Sequence, residues 1–249
     1  IYSSVLLAML ALSAACDKTS QLSDGYASDP DAVRVAASVG VLTRSNPLGS
    51  AEEPSKFNAG DKISVVHTSA NKLVNYKYDG TSWVPEGDDY LVWQTDKKNT
   101  FRLQYPFIGY EGLPEYSEYF KNQSTLEEMS RSDLMTKVVE VDPIPTDRRL
   151  VATLERQRAL VTVKIAGFND EFDADNAKIT DLKLHLWDGG QGDEIITVTP
   201  CIRDGKGTCQ PKGTAGLVGY SYTAIGRNDC DYQSQNKPFI TLTVDGRDL

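Results

Sequence analysis

Histidine is nearly absent. The 249 residues hold only His67 and His185, which excludes most triad and imidazole-based metal chemistry, because both need a histidine converging with other reactive groups. Basic excess is lacking too: 26 Lys and Arg face 35 Asp and Glu, for a formal net charge of −9. A nucleic-acid partner is therefore not expected, since phosphate neutralisation needs clustered cations. No apolar run reaches the roughly 20 residues a membrane-spanning helix needs. Phosphate-cradling glycine spacings are also missing: Gly189-Gly190-Gln191-Gly192 matches neither a dinucleotide fingerprint nor a P-loop and reads as a turn. No catalytic residue, cofactor or metal site is expected.

What is there begins with an address. Residues 5–12 form a short apolar run, followed by Ser13-Ala14-Ala15-Cys16. That is the pattern of an export signal with small residues before its cleavage point. A cysteine directly after them looks like a bacterial lipoprotein signal, with Cys16 as the lipidated residue, although Ser13 stands where Leu is more usual. Residues 1–15 are read as the leader and residues 16–31, rich in Ser, Asp and Gly, as a flexible tether. The chain begins at Ile1 and stops at Leu249 just after a strand-like run. Further sequence is expected at both ends.

The body reads as all-β. Residues alternate with period two in 73–78, 101–105, 161–165, 182–186, 196–199 and 240–244, the mark of half-buried strands. Further strand candidates are 33–39, 63–68, 90–94, 137–141 and 219–223. Asp79-Gly80 and Asp245-Gly246 are hairpin signals. Residues 124–135 read as either a short helix, with Ser124 as N-cap and Glu127 three residues on, or an irregular loop. Asp142-Pro143-Ile144-Pro145 interrupts any regular element and suggests a boundary between two antiparallel β-sandwiches, 32–145 and 146–249.

Local chemistry is sparse. His185 alternates with leucines and His67 ends a strand, so both are expected to be exposed and structural. The acidic stretch 170–176 lacks the glycine and distal glutamate of a calcium loop. Cys201 and Cys209 flank a glycine-containing turn and form the candidate disulfide of an exported protein, with Cys230 able to replace either. Tyr105, Tyr110, Tyr116, Tyr119 and Phe120 cluster in a loop-rich stretch. They read as a satellite core under a long loop or as exposed aromatics, and Trp83, Trp93 or the 110–120 loop is the candidate platform for a glycan or protein ligand.

Several phrases resemble the fimbrillin family, the lipoprotein pilins of Bacteroidales. Phe57, Gly60, Asp61, Ile63 and Val65 resemble the family's entry strand. Tyr76, Asp79, Gly80, Trp83 and Pro85 resemble its first hairpin, and Tyr105-Pro106 ends the following strand. Residues 159–165 and 179–182 resemble the opening of its second domain. The resemblance implies two transthyretin-like sandwiches and a non-enzymatic structural or adhesive role at the outer membrane, as pilus subunit, tip or anchor. It also implies assembly by strand exchange: an Arg-specific protease removes the leader and first strand, and the next subunit's strand fills the groove. Here the removable strand would be 31–41 and the cleavage candidate Arg44, with Arg34 ranked lower because it lies inside the strand. Partners would be other pilin subunits, the outer membrane through the lipid, and a host glycan or protein. The rival reading is a surface lipoprotein that binds glycans or proteins without polymerising.

Overall fold

The computed structural model describes residues 24–40, 56–107, 121–169, 171–173, 176–187, 195–226 and 238–249. The protein is all-β. Among the described residues, fourteen strands lie in sheets of seven, four and three strands.

The first sheet has the order β1-β7-β6-β5-β2-β3-β4. Its strands are β1 (Arg34–Val39), β2 (Lys62–His67), β3 (Lys72–Tyr78), β4 (Trp83–Pro85), β5 (Asn99–Tyr105), β6 (Met135–Val141) and β7 (Arg149–Arg156). Period-two alternation sends Ile63 and Val65, Val74 and Tyr76, Phe101 and Leu103, and Leu150 and Leu154 into one core. The β3–β4 turn is four residues long, closed by the Tyr78–Trp83 pair. Asp79 Oδ1 accepts from the Thr81 and Ser82 amides, both at 2.7 Å, and Gly80 takes φ +103°, a conformation open to glycine. No strand forms at 90–94, where only Val92 bridges Ala32. The prolines at 143 and 145 mark a turn between β6 and β7 of one sheet. That sheet therefore runs through Arg156, past the boundary expected at residue 145, because Leu150, Ala152 and Leu154 complete its core.

The remaining strands build a second core. Its larger sheet has the order β10-β9-β13-β14 and its smaller one β11-β12-β8. They comprise β8 (Ala159–Lys164), β9 (Ile179–Trp187), β10 (Ile195–Val198), β11 (Cys201–Arg203), β12 (Ser221–Gly226), β13 (Ile240–Val244) and β14 (Arg247–Asp248). Leu182, Leu184 and Leu186 face Tyr222 and Ala224 across this core. The Asp245-Gly246 turn, with both residues at positive φ, joins β13 to β14, as type I′ geometry requires.

Two short α-helices lie beside the sheets among the described residues. Residues 24–31 are docked, contrary to the tether expected there: α1 (Asp24–Ser28) buries Tyr26 to 4% exposure. The second helix, α2 (Leu126–Arg131), is capped by Thr125 and Glu128, one residue later than anticipated. The shift occurs because Ser124 Oγ donates to Glu128 Oε2 at 2.8 Å instead of capping the helix. α2 places Met129 against Cys201 and Ile225, so it covers the face of β12 that points away from the second core. Just ahead of it, Gln123 is fully buried and bonds the Ile225 main chain with both ends of its amide, at 2.7 and 3.0 Å.

Candidate functional site: the slot of the first strand

β1 is an edge strand, and it is held as a strip of core. It pairs with β7 in parallel, in unbroken register from Arg34 opposite Arg149 to Val39 opposite Leu154. The Arg34 amide donates to the Arg148 carbonyl and the Gly40 amide to the Leu154 carbonyl, each at 2.9 Å. Its other flank, with the residues just ahead of it, meets β4 and the segment 91–93 that follows. The Val33 amide donates to Leu91 O at 2.8 Å, the Trp93 amide to Asp31 O at 2.9 Å, and Trp83 Nε1 to Ala37 O at 3.1 Å.

Alternation divides the strand. Val33, Val35 and Val39 are buried and Ala37 packs beside them against the first core. Ser38 points out and meets Thr153 across the ladder, with hydroxyls 3.1 Å apart. Burying a valine contributes about 1.5 to 3 kcal/mol, so the three together contribute on the order of 5 to 9 kcal/mol. That is comparable with the whole stability of a typical domain. A unit whose slot stood empty would be near unfolding; a unit whose slot were refilled by another alternating strand would not.

The two tryptophans cannot be a stacking platform. Trp83 and Trp93 are 3% and 4% exposed, packed against Phe57 and Phe101, with their indole N–H groups spent on Ala37 O and Arg148 O. Tyr105 is likewise buried in the first core. Tyr110, Tyr116, Tyr119 and Phe120 lie outside the described residues, as do Cys16, Arg44, Cys230 and Gly189 to Gly192.

The histidines split. His185 sits on the outward face of β9, its ring nitrogens 3.0 Å from Thr241 Oγ1 and 3.2 Å from Thr197 Oγ1. His67 is fully buried rather than exposed, because it continues the inward set of Ile63 and Val65 to the end of β2. Its ring stacks on Phe101 at 4.3 Å, neither nitrogen has a hydrogen-bond partner among the described residues, and burial lowers its pKa. Among the described residues no group of three His, Cys, Asp or Glu is placed to hold a metal. No helix there is long and apolar enough to cross a membrane.

Cys201 and Cys209 come together. Their sulfurs are 2.8 Å apart, brought there by the bridge between Arg203 and Cys209 that folds the turn back on β11. The neighbouring thiol and burial push Cys201 up, while the Cys201 thiol holds Cys209 down to about 7. Sequence reading missed the anchoring of the strand's amino end by Tyr26, whose signal was an aromatic residue amid small polar ones. It also missed the buried Arg156–Asp133 pair, 2.8 Å apart.

The described fold can be set beside known proteins. No family model matches the sequence, and no curated protein matches it. Its structural neighbours are fimbrial and cell-adhesion proteins of Bacteroides. A "putative cell adhesion protein" from Bacteroides ovatus aligns at a TM-score of 0.50 and 12% identity, over 88% of this chain and 84% of that one. A fimbrial protein from the same species gives 0.48 and 13%, over 89% of this chain. A "putative cell adhesion protein" from Bacteroides uniformis gives 0.47 and 14%, over 86% of this chain and 78% of its own. The chain spans 45% of the fimbrial protein's length. At such identities the first of these likenesses is one of fold.

Proposed function

We propose that this chain is a non-enzymatic, fimbrillin-like structural and adhesive protein of the cell surface, assembled by exchange of its first strand. The observation that carries the reading is β1 itself: an edge strand in parallel pairing whose Val35, Ala37 and Val39, with Val33 just ahead of them, fill the first core. Parallel pairs are slightly weaker per residue than antiparallel ones, and a strand edge is completed equally well by another chain through main-chain bonds. A head-to-tail contact of that kind does not close and so builds a filament. The name of one structural neighbour, a "putative cell adhesion protein" from Bacteroides ovatus, supports the adhesive part of this reading. In it, Cys16 is the lipid attachment site at the outer membrane and Arg44 the cleavage site after β1. Arg34 is a poor site, because it is locked within the ladder. The chain forms two sandwich units meeting near Gln157, after β7 and before β8. Cys201 and Cys209 are joined as a disulfide, each thiol losing its proton and the electron pair passing to a disulfide donor of the export pathway.

The test is limited digestion of the folded protein with an Arg-specific protease. Cleavage at Arg44, with the amino-terminal piece displaced by another subunit's strand, is expected. A folded protein that resists cleavage throughout 41–55 would remove the strand-exchange role.

A further inference from the structure

The two ends of β1 are fastened differently. At the amino end, the Arg34 guanidinium lies 4.2 Å from the centre of the Tyr26 ring and Nη2 donates to Ala27 O and Asp29 O, both at 3.2 Å. Tyr26 is buried and meets Tyr90 edge-on at 5.6 Å. The Tyr90 hydroxyl donates to Asp29 Oδ2 at 3.0 Å, and Asp29 Oδ1 accepts the Asp31 amide at 2.8 Å. Arg148 pairs with Asp31 at 3.2 Å. At the carboxyl end, among the described residues, the side-chain bonds are neutral: Ser38 to Thr153 and Trp83 to the Ala37 carbonyl.

We propose that α1, Tyr26, Arg34, Asp29 and Tyr90 form a latch that pins the amino end of β1, so that the strand opens from its carboxyl end. This rests on the strand-exchange reading and extends it. A cut beyond Gly40 does not by itself release the strand, and an incoming strand engages first beside Leu154, where Val39 leaves, and advances toward Leu150. A charged donor shared between two carbonyls, with a cation over a buried ring, outweighs neutral hydroxyl bonds.

Two amides make matched reporters, because each donates to a β7-side carbonyl at 2.9 Å: residue 34 to Arg148 O and Gly40 to Leu154 O. Native-state hydrogen exchange on the uncut, full chain, corrected for intrinsic rates, should find Gly40 exchanging at least about tenfold faster than residue 34. Arg34→Ala should erase most of that difference by accelerating residue 34, and Arg34→Lys should erase part of it. Ser38→Ala should leave residue 34 unchanged. Should Arg34→Ala not fold, Tyr26→Leu serves, since it keeps the apolar bulk and removes the ring beneath the cation. Equal or reversed protection in the native chain would overturn the latch, as would an unchanged order in both Arg34→Lys and Tyr26→Leu. The measurement needs no cleavage and no partner. Failure of protease-triggered assembly would sink the exchange reading while leaving this result standing.

Discussion

Truncating Val33 to alanine removes two carbons from a side chain with 0% exposure. At about 0.8 kcal/mol per buried methylene the transfer loss is about 1.6 kcal/mol. A partly relaxed cavity adds on the order of 1 kcal/mol, giving a total of about 2 to 3 kcal/mol. Val35, at 7% exposure and opposite Leu150, should behave alike. Val151 on the neighbouring strand is 66% exposed, so Val151→Ala should stay within about 0.5 kcal/mol. Urea unfolding followed by tryptophan fluorescence suits the question, because Trp83 and Trp93 both sit in the first core. The midpoint should fall for Val33→Ala and Val35→Ala and hold for Val151→Ala, with an unchanged slope. If Val33→Ala were as mild as Val151→Ala, β1 would be a surface strip rather than part of the core. The energetic reason for refilling its slot would then be gone.

Three further outcomes are expected. Burial lowers the pKa of His67, so below the unfolded value near 6.5 the unfolded chain binds more protons. Stability is then fully present above that value and lost as pH falls through it. His67→Phe should flatten this part of the stability–pH curve, and an unchanged curve would show that the ring is hydrated. Peptide mapping without reductant should find Cys201 linked to Cys209. Replacing either with serine should lower stability by about 2.5 kcal/mol for so short a loop, whereas linkage of either to Cys230 would contradict the pairing. Arg156 and Asp133 are 9% and 3% exposed, so Arg156→Ala should cost about 3 to 5 kcal/mol by stranding a buried carboxylate. In a thermal-unfolding cycle, the double change to Leu should recover part of that loss.

Much of the fold was legible because the alternation is strong where both strand faces have clear partners, as in β3, β5 and β9. β7 was hidden because its inward set includes the small Ala152 while Val151 points outward, which blurs the period. β11 and β14 are too short to carry a pattern. The proline turn misled because a break in local structure says nothing of which sheet the chain rejoins. For the site, the strand 33–39 could be read from its alternation, whereas spacing left the partner of Cys201 and Cys209 open, since Cys230 could replace either; the fold sets their sulfurs 2.8 Å apart. The Tyr26–Arg34 stacking could not be read, because it depends on α1 folding back beside Tyr90. Nor was the burial of His67 anticipated; it shares the inward face of β2 with Ile63 and Val65 and is covered where Phe101 packs against its ring.

The most direct measurement is electron microscopy and mass analysis of the full-length folded protein after an Arg-specific protease acts. The expected result is cleavage at Arg44, with filaments that grow as the amino-terminal fragment is released. Cleaved subunits that never form filaments, or filaments that form with β1 still covalently in place, would contradict a structural role built on exchange of this strand.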